Sequence, residues 1–67
     1  MSTQIQDLPT LFGAHPPGEA YERVHAAAHE LAFAVLQNVP EGDARESALG
    51  TIRDAVREAD DAISAGS

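Results

Sequence analysis

The sequence predicts an all-α fold: an antiparallel two-helix hairpin with a short N-terminal arm, assembled as a compact homo-oligomer. Three observations carry this. Residues 20–39 run without Gly or Pro and are dense in good helix formers. A second apolar seam follows after a single turn, with Leu49, Ile52, Val56, Ala59 and Ile63 spaced three and four apart. Within the first helix, Leu31-Ala-Phe-Ala-Val-Leu36 is apolar on every side, and one short partner helix can cover only one of them. The chain has 67 residues, enough for one domain over 1–67 whose lone core would be marginal. It has no cysteine, which excludes disulfides and thiolate metal sites and leaves self-association as the remaining source of stability.

The first segment, 1–18, reads as an arm and a rigid loop. Met1 to Asp7 is polar and without periodicity, so it is expected to be mobile unless it docks on a neighbouring subunit. Leu8, Leu11 and Phe12 have helical spacing, and Pro9 suits a first helical position. In Gly13-Ala-His-Pro-Pro-Gly18 two prolines fix φ and the flanking glycines permit sharp changes of direction.

The first long helix is placed at 19–38, with Glu19 and Glu22 in the first turn, where the helix dipole favours acids. Its buried face is read as Tyr21, Val24, Ala28, Leu31 and Val35. Residues 39–43 form the turn, with Asp43 as N-cap and Glu46 completing a capping box. The second long helix is placed at 44–65, with Gly66 as its C-terminal cap. Gly50 interrupts it, at a cost of up to about 1 kcal/mol relative to Ala.

Eleven Asp and Glu against four Arg and no Lys give a formal charge of -7. That argues against duplex DNA or RNA as a partner, because such binding rests on cations neutralising phosphates. It leaves room for a small anion held by a few well-placed arginines. No apolar run approaches the ~20 residues of a membrane span, and the start lacks a signal-peptide pattern. The expectation is a soluble, cytoplasmic protein without a membrane partner.

His25 and His29 lie one helical turn apart, on a face shared with Ala32 and Leu36. Two imidazoles at this spacing can chelate a metal, with Glu22 as a third ligand. The plainer reading, two half-buried histidines at a subunit contact, is preferred, and no metal or other cofactor is expected. The zinc-protease arrangement is absent because Ala26 stands where its glutamate would be. A third reading has one histidine donating to a phosphate oxygen. Arg53 and Arg57 are also one turn apart, among Asp54, Glu58, Asp60 and Asp61, with Asp61 at the pairing distance from Arg57. Such arginines usually solvate a face, but oligomerisation could gather Arg53 from several chains into a phosphate site. Arg23 and Arg45 read as surface residues. Asp60 and Asp61 point in different directions on a helix, and no serine has a convincing partner. No catalytic residue is assigned, and an enzyme is not expected.

In their order and spacing these pieces resemble the small phage-encoded sponges for cyclic oligonucleotides that counter CBASS immunity, the hairpin-domain anti-CBASS proteins. That family shows a phenylalanine, His-Pro-Pro, a tyrosine-led helix rich in alanine, a proline turn, then a second helix with an arginine and an alanine-rich tail. Here Phe12 precedes His15-Pro16-Pro17, Tyr21 to Ala32 opens the first helix, and Pro40 marks the turn. Ile52-Arg-Asp-Ala55 and Ala59-Asp-Asp-Ala-Ile-Ser64 close the second helix, so the resemblance covers about residues 12–64.

The resemblance implies a homohexamer of interlocked dimers, acting in the cytoplasm of the infected bacterial host. It would hold cyclic dinucleotides, and in some members cyclic trinucleotides, between subunits without cleaving them. It also implies an aromatic beside the His-Pro-Pro loop that stacks on a base, a basic first-helix residue that meets a phosphate, and a second-helix arginine near the symmetry axis. Arg53 matches the last of these, with Arg57 beside it, and His25 or His29 stands at the basic position. Ala14 occupies a place that is often aromatic in the family, so either Phe12 stacks instead, beside His15 and Pro16, or base stacking is lost. Asp60 replaces an asparagine of the tail, and the loop before Tyr21 is shorter. The competing reading is an acidic helical hairpin that acts by contact with a basic partner protein.

Overall fold

A computed structural model describes residues 2–66; Met1, the first residue of the expected arm, and Ser67 lie outside them. The described residues form helices joined by short loops, with no strand among them. A single 3-10 turn at Ile5–Asp7 leads into α1 (Leu8–Leu11), followed by α2 (Glu19–Asn38) and α3 (Asp43–Gly66). Pro9 sits within the first turn of α1, where its missing N–H leaves no carbonyl short of a donor. α2 keeps its predicted bounds and its acidic first turn.

α2 and α3 pack against each other, and two hydrogen bonds fix their sense. Tyr21 meets Ser64 across 2.6 Å and His25 meets Asp60 across 2.8 Å, so the start of α2 lies beside the end of α3. The core is small: Leu8, Ala32 and Leu49 are sealed, with Leu11, Phe12, Phe33, Val35, Leu36 and Ile52 packed around them. Full burial of a leucine contributes about 2 kcal/mol. α1, though one turn long, therefore anchors the hairpin through Leu8. On α2 the innermost residue is Ala32, not Leu31. Leu31 is 54% exposed and leaves the expected buried face, because the α3 contact is centred on the His25–Ala28–Ala32 side of the helix.

Four further expectations are corrected near the turn, and one at the far end of α3. Asp43 is the first residue of α3 instead of its cap, and the first helical bond runs from Glu46 N–H to Gly42 C=O. Glu46 does not close a capping box. Its carboxylate accepts from the backbone N–H of Thr3 (3.1 Å) and from the Thr3 hydroxyl (2.7 Å). The Ser2 hydroxyl likewise donates to Glu41 (2.6 Å). The arm is thus docked on its own α3, not free. Arg45, read as a surface residue, is only 8% exposed; it lies under the arm and donates to the Thr3 carbonyl (3.2 Å). The hydrogen bonds from Thr3, with the charge of Arg45 as a smaller contribution, hold the Glu46 carboxyl below the usual glutamate range. Arg23 is exposed as expected and pairs with Glu19, one turn before it. Gly66 lies within the last turn of α3 instead of ending it from outside.

Candidate ligand site

The loop between α1 and α2 organises the site. Gly13 has φ 72°, which turns the chain sharply after α1. Gly18 has φ 151°, and a Cβ there would lie 3.3 Å from the Tyr21 ring, so only glycine lets that ring close on the loop. His15 stacks on Tyr21, with ring centroids 6.3 Å apart and planes within 12°. His15 also meets His25 at 4.4 Å, with the ring planes tilted by 52°, and Phe12 meets His25 edge-on at 6.4 Å. His15 Nδ1–H donates to the Pro16 carbonyl (2.8 Å). The result is a packed row of rings, Tyr21, His15, His25 and Phe12, joining the loop to the inner face of α2.

Two clefts open on either side of this loop. The first, about 370 Å³, is lined by Leu8, Pro9, Phe12 to His15, His25 and His29. The second, about 420 Å³, is lined by Thr10 to Ala14, Pro16, Arg53, Arg57, Asp60 and Asp61. Phe12, Gly13 and Ala14 belong to both and form the partition. All eight residues singled out in the sequence therefore line one cleft or the other. His15, His25 and His29 share the first; Pro16, Arg53 and Arg57 share the second; Phe12 and Ala14 touch both. The structure does not bring the histidines and arginines into one cavity.

The charges are unevenly matched. Arg53 Nε is 3.7 Å from Asp54, and both are well exposed, so that pair contributes well under 1 kcal/mol. Arg57 forms no ion pair or hydrogen bond among the described residues, so the expected bond to Asp61 is not made. An unneutralised guanidinium thus faces a cleft on a chain of charge -7. His25, which lines the histidine cleft, has its Nε2 2.8 Å from Oδ2 of Asp60, which lines the arginine cleft, and both side chains are largely sheltered. His25 takes its partners from the loop and α3, while Glu22, the suggested third metal ligand, is exposed. Among the described residues no three His, Asp or Glu side chains are disposed to hold a metal ion.

Asp60 is the residue the sequence reasoning missed. Local spacing sets it beside Asp61 and among the acids around Arg53 and Arg57, with no sign of a histidine partner. Its real partner lies across the hairpin. The register that pairs Tyr21 with Ser64 also pairs His25 with Asp60, four residues on in α2 and four back in α3. Among the described residues no helix is long and apolar enough to cross a membrane. Compared with protein-family models, with curated proteins and with solved structures, the chain matches none.

Proposed function

We propose that this protein is a non-enzymatic sponge that binds and sequesters cyclic di- or trinucleotides and so blocks CBASS antiphage signalling. The observation that carries the reading is the pair of adjoining clefts, one rich in imidazole and one holding Arg53 and Arg57, divided by the Phe12–Ala14 segment. A cyclic oligonucleotide presents flat bases and bridging phosphates, and the two clefts offer rings in one and guanidinium forks in the other. Each cleft has the volume of a small ligand pocket but stands open in a single chain. In the proposed assembly, a homohexamer, neighbouring copies close them. A third surface supports association: an apolar groove of about 460 Å³ between α2 and α3, lined by Val24, Ala27, Leu31, Ile52, Ala55 and Val56 among others. No nucleophile or acid/base pair is needed for capture, and none is invoked.

The test is retention. The protein is mixed with a panel of cyclic di- and trinucleotides, freed of unbound ligand, and then heated. Intact nucleotide in the supernatant is the expected result, and a chemically converted product would replace the sponge with an enzyme. The net charge of -7, with Asp54, Glu58 and Asp61 exposed on α3, favours a second reading, contact with a basic protein. No retention across the panel would favour that reading.

A further inference from the structure

We propose that Asp60 is a positioning residue that fixes the tautomer of His25, so that His25 presents a hydrogen-bond acceptor, Nδ1, to a hydroxyl or amine donor on the ligand. The ligand half of this rests on the binding function proposed above; the tautomer does not.

The argument begins at the 2.8 Å contact between His25 Nε2 and Asp60 Oδ2. A carboxylate only accepts, so Nε2 carries the proton and donates it. A neutral imidazole holds one proton, and with that proton on Nε2 its Nδ1 is a lone pair. A carboxylate behind an imidazole commonly fixes its tautomer and orientation in this way. The ring is also held against rotation, with His15 at 4.4 Å on one side and Phe12 at its edge. His25 Nδ1 has no hydrogen-bond partner among the described residues, and His25 lines the 370 Å³ cleft.

Asp60 gives up something for this role. Its Oδ1 is sealed from solvent and accepts no bond. An unpaired buried acceptor calls for a reason, and holding the imidazole supplies one. The charged and titratable groups around His25 are Asp60 from α3, His15 from the loop and His29 one turn along α2. Arg53, Arg57 and Asp61 lie in the adjoining cleft, and α1 contributes only apolar side chains and Thr10.

The consequence is a division of labour. A neutral His25 cannot donate to a phosphate, so phosphates go to Arg53 and Arg57. The histidine cleft takes a donor-bearing part of the ligand, either a ribose hydroxyl or a base amine.

Two measurements on the full chain decide the matter. The first needs no ligand: two-bond proton–nitrogen correlation spectra recorded at about pH 8, where histidines are neutral. Wild-type His25 should be protonated at Nε2. Asp60→Ala should give a tautomer mixture, and Asp60→Asn, whose amide oxygen accepts the same bond, should restore the wild-type pattern. A His25 protonated at Nδ1, or an unchanged pattern in Asp60→Ala, overturns the proposal.

The second measures retention of cyclic di-AMP, of its 2′-fluoro analogue and of an analogue whose bases lack the exocyclic amine. Loss of the relevant donor should weaken wild-type binding about five- to tenfold and leave Asp60→Ala unaffected. The sensitive analogue identifies the donor, whereas equal retention of all three overturns the acceptor role. If wild type holds no cyclic di-AMP, the proposed acceptor role falls with the sponge reading for that ligand, while an Nε2-protonated spectrum still supports the Asp60 assignment.

Discussion

Glu46 ties the first residues of the chain to the start of α3, and its protonation controls that tie. Thr3 donates to the carboxylate through both backbone and hydroxyl, which keeps the carboxyl below its ordinary range. A carboxyl depressed in the folded state contributes stability above its unfolded value of about 4.3, and that contribution is lost as the pH falls through the folded value. Glu46→Gln should therefore lower the melting temperature at pH 7, and the gap to wild type should close towards about pH 3. Thermal unfolding followed by circular dichroism at both pH values checks this; a gap that persists in acid would mean the carboxylate charge is not what holds the arm. In the arginine cleft, Arg57 has no ion pair among the described residues and Arg53 has only a weak one. Replacing either with Ala should cut nucleotide retention about tenfold or more, as loss of a charge-assisted bond does, while the assembly persists. Retention and solution mass, measured on the same samples, separate the two effects. Residue types and spacing made Phe12, the histidines and the arginines visible beforehand. Asp60 was not, because its significance lies in a contact across the hairpin, and local spacing carries no sign of that.

At the scale of elements, α2 and α3 were legible because each carries a long apolar periodicity and is closed by Gly or Pro punctuation. The docking of the arm was not. It depends on Thr3 meeting Glu46, 43 residues apart, and on a buried arginine whose sequence surroundings look like any charged surface. The helix α1 is too short to hold its shape alone, so its stability is that of Leu8 in the core. Leu8→Ala should cost about 3 kcal/mol in denaturant unfolding. A much smaller loss would show that the α1 turn is not part of the cooperative unit. Gly50 is different, for within one chain a Cβ there would meet only Arg53 Nη2, at 3.9 Å. Gly50→Ala should therefore stabilise the monomer by about 0.5–1 kcal/mol, by the difference in helix propensity. A loss of stability confined to concentrated samples would instead place a second copy's backbone against Gly50.

The whole molecule measures 39 × 18 × 17 Å. α2 packs against α3 and the short α1, and one face of it is left uncovered. Leu31 stands on that face, 54% exposed. Leu31→Glu should reduce the solution mass by light scattering while leaving the helical signal intact, because the side chain adds little to the chain's own core. The net charge of -7 on every copy would oppose association, so added salt should strengthen the proposed assembly by screening that repulsion. An assembly that weakens in salt would be held by ion pairs in place of the apolar groove.

The bond from Ser2 to Glu41 puts the beginning of the chain at the turn, while α3 runs on for 24 residues towards the opposite pole. At 1.5 Å per residue that separation is about 35 Å, held by a continuous helix. Fluorophores at Ser2 and Ala65 would therefore sit at the two tips of a short rod, with a spacing that its own folding sets. Energy transfer beyond what that spacing allows could come only from a neighbouring rod, and it would show whether neighbours align head to head or head to tail.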